Sequence, residues 1–203
     1  MTIPALINYQ FAISTDLPPI TGKMMEYWVA GNGVFVRAAR QGLSACFPIN
    51  QCSIRGLPHL TPYFHLQYPL VSASLVLQIL QLAQNAGHKE ILFYLCFTDG
   101  KWHLHTPEQT ATSTSVTPVE ATSLSYQTAM IEVHSHHSMS AQFSATDDEE
   151  EAGKFRIFAV LGEIFTNPHI CVRLGTYSHF WHIPANWVFE LPSCLISNSV
   201  AST

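Results

Sequence analysis

Three side chains stand out for the chemistry their spacing allows: His134, His136 and Asp147. They lie in the stretch M-I-E-V-H-S-H-H-S-M-S-A-Q-F-S-A-T-D-D-E-E, from Met130 to Glu150. Ala129 to Val133 is mostly apolar, partly β-branched and free of turn residues, which predicts a strand. Successive side chains in a strand alternate faces, so His134 and His136 emerge on the same side. Two imidazoles on one rigid edge make half of a metal site. If the following loop folds back, Asp147 adds a carboxylate oxygen. Three protein ligands of the N/N/O type suit zinc, and an open fourth position is the mark of a catalytic rather than a structural site.

The elements around this stretch must hold it. Ser144-Ala145-Thr146-Asp147 opens an acidic segment that reads as a helix, and S-x-x-D is also a capping box. Asp147 to Glu151 would then sit favourably at the positive helix end. The two readings are compatible, because a cap fixes where the segment starts and limits where Asp147 points. Upstream, Val71 to Ala86 is the clearest helix. Leu75, Ile79, Leu82 and Ala86 recur at helical spacing, Ser72 or Ser74 can cap the start, and Gly87 is the expected stop. Glu90 to Phe97 reads as a strand buried on both faces after its first residue. On spacing alone Glu90 is only the solvated start of that strand.

Asp99-Gly100 predicts a tight turn, with Lys101 to His105 as the returning strand. His103 and His105 repeat the H-x-H pattern without a downstream S-x-x-D, so they read as one strand face. Thr106 to Gln127 is rich in Thr and Ser, contains Pro107 and Pro118, and reads as a long extended connection. Beyond the acidic segment, Phe155 to Leu161, Ile170 to Tyr177 and Phe180 to Ile183 are strand-like, with a turn at Gly162. His179 and His182 flank Phe180-Trp181 and read as positions of an aromatic-rich surface or core rather than ligands, though either could line a cleft. Leu195 to Thr203 reads as a disordered tail.

Residues 1–68 form a separate β-rich module. Met25 to Ala30 and Val34 to Ala38 flank Gly31-Asn32-Gly33, which predicts a hairpin. His59 and His65 are lone histidines there, and no catalytic constellation is visible. The chain of 203 residues is 47% hydrophobic and only 11% charged, with a formal net charge of −5. That is a globular composition with a sparsely charged surface. The acidic balance and the absence of a basic cluster argue against a nucleic-acid binder. No apolar run reaches the length of a membrane span. The five cysteines, an odd number with no C-x-x-C, read as reduced thiols of a cytoplasmic protein. Cys46 and Cys52 lack the partners a zinc site would need.

The spacing His134-x-His136, seven residues, then Ser144-x-x-Asp147 resembles the JAMM motif of the JAB/MPN metalloprotease family. One departure is visible: that family usually has proline directly after the second histidine, where this chain has His137, a candidate further ligand or substrate contact. The resemblance spans about Pro69 to Glu190, within a domain of residues 69–194. It implies an α/β (α+β) fold with a mixed, mostly antiparallel sheet flanked by helices. It also implies zinc held by His134, His136 and Asp147, with Glu90 as general base and Ser144 as oxyanion donor. Glu132, two residues before His134, shares its strand face and is a candidate for orienting a ligand ring. More narrowly, the chain resembles the protein A family of the bacterial PRTRC cassette, which implies a ubiquitin-like protein or conjugate as substrate and other cassette proteins as neighbours. The expected activity is that of a zinc isopeptidase or peptidase. The alternative is a non-catalytic scaffold of the same fold that binds partner proteins.

Overall fold

A computed structural model describes residues 6–21, 24–112, 115–119 and 124–198. The chain divides into two units. The first takes the residues up to Tyr68 with the short segments Ala152–Phe155 and Thr176–His179; the second takes Pro69–Glu151, Arg156–Gly175 and the residues from Phe180 onward.

The first unit is a five-stranded sheet in the order β1 (Ile7–Phe11), β2 (Met25–Ala30), β3 (Gly33–Arg40), β4 (Leu43–Gln51) and β5 (Tyr63–Leu66). β1 runs parallel to β2 and the rest are antiparallel. The predicted hairpin forms, and its turn is the two residues Gly31-Asn32, with Gly33 already in the strand and paired to Ala30. Trp28, Ala30, Phe35, Cys46 and Leu60 pack its core. Glu26 is fully buried but well served, accepting from Trp28 Nε1 at 3.0 Å and facing Arg37 at 3.4 Å. A buried carboxylate is tolerated only with such partners.

The second unit begins with α1 (Ala73–Asn85), whose N-cap Ser72 accepts from Leu75 N. Its buried face is Val76, Ile79, Leu80 and Ala83, with Leu75 and Leu82 only half-buried. The predicted stripe of Leu75, Ile79, Leu82 and Ala86 is therefore turned by about one residue. An apolar arc wider than one face left the choice of its centre open, and packing decided it. Gly87 ends the helix at φ +68, the left-handed conformation glycine tolerates.

β6 (Leu92–Thr98) and β7 (Lys101–His105) form the predicted hairpin, with Asp99 (φ 51) and Gly100 (φ 76) at its tip. The segment read as one long connection contains β8 (Gln109–Ala111), β9 (Val116–Pro118) and α2 (Leu124–Thr128). The side chain of Gln109 brackets the backbone of Leu92, accepting from its N–H at 2.7 Å, and Val116 joins a core cluster with Leu92, Tyr94 and Cys96. Strands of three residues have too short a period to show in sequence.

β10 (Ile131–Ser135) leads to α3 (Ala145–Glu151), then to β11 (Phe155–Gly162), β12 (His169–Thr176), β13 (His179–Ile183), a 3₁₀ turn at Ala185–Trp187 and β14 (Ile196–Ser197). The sheet order is β13-β12-β11-β10-β6-β7, and β14 pairs with β12. Every residue of β10 and β11 is buried, as central strands covered on both faces require. The expected tail does not begin at Leu195: that side chain is buried, Ile196–Ser197 adds to the sheet, and Asn198 donates to Ala141 O at 2.8 Å. The remainder of the expected tail lies outside the described residues. The fold is mixed α+β, as the sequence led us to expect.

Candidate metal centre

β10 is parallel to β11 and antiparallel to β6, so the C-terminal end of β10 meets the N-terminal end of β6. His134 pairs with Leu92 in that ladder, and Ser135 N donates to Ile91 O at 3.1 Å. Two steps further along, Glu90 comes level with His136. Strand pairing alone thus carries a residue some forty positions upstream to the histidines.

The loop after β10 is held in place by backbone. His136 N donates to Leu161 O at 2.7 Å, Glu163 N to Met139 O at 2.8 Å, and Ile164 N to His137 O at 2.8 Å. Gly162 permits this approach: a Cβ there would lie 2.2 Å from Ala141 N and 2.5 Å from Met139 O. His137 adopts φ 31, a conformation closed to proline, whose ring holds φ near about −65°. The loop therefore follows a path that a proline at this position would not allow. His137 is buried and its Nδ1 accepts from Ser138 N at 2.9 Å, and its ring meets that of His88 edge-on at 6.1 Å.

Ser144 and Asp147 form the predicted capping box in both directions. Asp147 N donates to Ser144 Oγ at 3.2 Å, and Ser144 N donates to Asp147 Oδ2 at 2.6 Å. The Ser144 hydroxyl also donates to Oδ2, at 2.7 Å. Capping also brings Asp147 to the histidines, because the cap turns the carboxylate back over the strand end. His134 Nε2 lies 3.1 Å from His136 Nε2 and 3.2 Å from Asp147 Oδ1, and His136 Nε2 lies 3.8 Å from Asp147 Oδ2.

Ligands about 2.0–2.1 Å from a tetrahedral zinc ion stand roughly 3.3 Å apart. The three side chains, whose ligand atoms all fall within 4.8 Å of one another, match that spacing. Two buried imidazoles with their Nε2 atoms aimed at each other and at a carboxylate are the donor set a divalent cation satisfies. Among the described residues this is the one group of three or more such side chains that converges. His103, His105, His179 and His182 are not part of it. His179 accepts or donates to Tyr27 Oη at 2.7 Å, and His182 Nδ1 lies 3.5 Å from Cys171 Sγ.

The electrostatics follow from burial and from the histidines. Burial works to raise the Asp147 carboxyl, but the hydrogen bond and charge of His134, with the bonds from Ser144, hold it well below the ordinary carboxylate range. Burial works to lower His134, but its hydrogen bond to Asp147 together with the charges of Asp147, Glu151 and Glu90 outweighs that and raises it. His136 is lowered, by burial and then by the charge of His134. Glu90 is buried, at 4% exposure, and burial pushes its carboxyl up to about 7. Its Oε1 lies 3.9 Å from His136 Nε2 and finds no hydrogen-bond partner among the described residues.

With this geometry in hand, comparison with known families decides the assignment. The profile of prokaryotic homologs of the JAB domain matches residues 72–181, more than half of the chain. The chain belongs to that family. The matched JAB region contains Glu90, both histidines, Ser144 and Asp147. No curated protein matches the chain significantly. JAB-domain membership with a His-His-Asp cluster is compatible with a peptidase and with a scaffold.

Two features of the JAB domain here were missed in the sequence. Glu132 is buried against Arg156, accepting from it at 2.9 Å, and Arg156 also donates to Tyr126 O and lies over the Tyr126 ring at 4.6 Å. Arg173 pairs with Asp148 and Glu151 of α3. The available signal was a single arginine in each of two largely apolar strands, since a buried cation requires a carboxylate nearby.

Proposed function

We propose that the chain is a zinc-dependent isopeptidase or peptidase that cuts a ubiquitin-like tail or conjugate. The observation that carries this reading is Glu90 Oε1, buried and without a hydrogen bond among the described residues, 3.9 Å from His136 Nε2. A carboxylate costs free energy in such a place unless something enters to use it.

His134, His136 and Asp147 would hold the zinc, which when bound supplies Lewis acidity and a lowered pKa for water. In the metal-free protein burial raises the Glu90 carboxyl to about 7. It can accept the proton of an attacking water and return it to the departing amine, as general acid–base catalysis needs. In the balance a C–O bond forms at the scissile carbonyl, the C–N bond breaks, and the amine leaves protonated. Ser144 Oγ, now donating to Asp147 Oδ2, can turn its hydrogen bond to the developing oxyanion, where one donor is worth roughly 3 kcal/mol of barrier.

The substrate class rests on the JAB family membership and on the narrower resemblance to PRTRC protein A. The test is to incubate the zinc-loaded chain with a ubiquitin-like protein encoded beside it, carrying a C-terminal extension, and to read intact masses. Loss of the extension with the wild-type chain, and not with Glu90→Gln, is the expected result. Stable binding without any mass change would favour the scaffold.

A further inference from the structure

We propose that Arg173 is the positioning residue of the carboxylate ligand: a guanidinium wedged between two aromatic rings that clamps α3 and so sets Asp147. The proposal rests on the reading of His134, His136 and Asp147 as metal ligands.

α3 has little reason to be a helix by itself. It is seven residues long, A-T-D-D-E-E-E, with no basic residue in its last turn. A helix that short is far below the length that is stable alone. Ser144 fixes the first turn only.

Arg173, on β12, supplies the missing constraint. Its Nε donates to Glu151 Oε2 at 2.8 Å, with a second guanidinium nitrogen 2.7 Å from the same oxygen. Its third nitrogen donates to Asp148 Oδ1 at 2.5 Å. These two carboxylates bracket a turn of α3, one of them directly after Asp147. The guanidinium lies 3.9 Å from the ring of Phe143 and 3.9 Å from that of Phe180. Phe143 in turn meets the His134 ring edge-on at 6.1 Å. One side chain therefore touches the neighbours of two ligands and neither ligand itself. The side chains of Arg173 and Glu151 are each only 4% exposed, so the pair is little weakened by solvent. Lysine cannot replace this arrangement in full, because it lacks the planar fork that pairs with two carboxylates and stacks on rings.

The experiment is zinc affinity by competition with a chelating dye, on the full chain and its variants. Arg173→Met should bind zinc about 10–100-fold more weakly, and Arg173→Lys less severely, as for other groups that support a metal ligand. The same substitutions in an Asp147→Ala background, where the two histidines bind alone, should change affinity by less than about twofold, since coupled effects vanish when the partner is gone. An equal loss in both backgrounds would mean a general structural role and overturn the proposal. So would wild-type affinity in folded Arg173→Met, or, if that variant does not fold, in Arg173→Lys. If His136→Ala binds zinc as tightly as wild type, the ligand reading itself fails, and this proposal with it.

Discussion

Glu90 Oε1 and His136 Nε2 stand 3.9 Å apart across the junction of β6 and β10, and the carboxylate oxygen has no hydrogen bond among the described residues. The antiparallel register that pairs Leu92 with His134 brings them together. That relation suits Glu90 to the proposed acid–base role better than Glu132, which is paired with Arg156.

Glu90→Gln should therefore keep zinc and fold and lose turnover by about 10²–10⁴-fold, the usual worth of a positioned acid–base group. The substitution also changes stability against pH in the metal-free protein. A carboxyl raised on folding to about 7 favours the folded state at pH below its ordinary value, and that contribution is lost as pH rises towards 7. At most roughly 3 kcal/mol is at stake. Wild type should lose stability relative to Glu90→Gln between about pH 4.5 and 7. Parallel denaturation curves across that window would contradict the burial argument.

The metal prediction is stoichiometric. A centre of three ligands with one open position takes one ion, so wild type should carry about one zinc per chain and His136→Ala essentially none. Elemental analysis decides it, and full zinc in the variant would exclude this ligand set.

How much of this was legible in advance depended on the range of the interaction. His134, His136, Ser144 and Asp147 lie within a few turns of chain, and alternation plus a capping box were enough to bring them together. Glu90 was not placed by spacing, which made it a solvated strand start; the strand pairing that buries it is non-local, and only the family resemblance pointed there. Leu75 was taken for core in place of Val76, since periodicity gives a face to within about one residue. The clamp from Arg173 to α3 joins elements that no local pattern connects. The β8–β9 hairpin failed for the opposite reason, being too short to have a pattern.

Ser144 caps α3 and is proposed to serve the oxyanion, and one substitution can separate the two. Ser144→Ala removes the cap to Asp147 N and the bond to Oδ2. Stability should fall by about 1 kcal/mol, zinc should remain, and kcat should drop by roughly 10²-fold. Unchanged turnover on a cleaved substrate would leave the hydroxyl with its structural duty only.

Gly162 tests the loop. Adding a methyl group there drives a Cβ to within 2.2 Å of Ala141 N, and backbone at that distance must shift. Gly162→Ala should displace the segment between His136 and Phe143, lower thermal stability and weaken zinc binding. A crystal structure of the variant with the loop unmoved would show that β11 yields instead.

Glu132 was a candidate for orienting a histidine ring, and its pairing with Arg156 changes what its loss should do. Both side chains are nearly buried, at 10% and 6% exposure, with 2.9 Å between the charged atoms. Glu132→Ala leaves a guanidinium without its carboxylate in the interior, which costs about 3–5 kcal/mol. Glu132→Gln keeps an acceptor and should cost less. In both, the deficit should appear in the metal-free protein, with zinc still bound at one per chain when the fold is intact. Arg156→Met tests the pairing from the other side. If the two residues stabilise the domain through each other, the double variant should be less impaired than the sum of the single ones by at least about 1 kcal/mol. Strictly additive losses would mean that Glu132 acts on another group, and a selective loss of zinc would return it to the histidines.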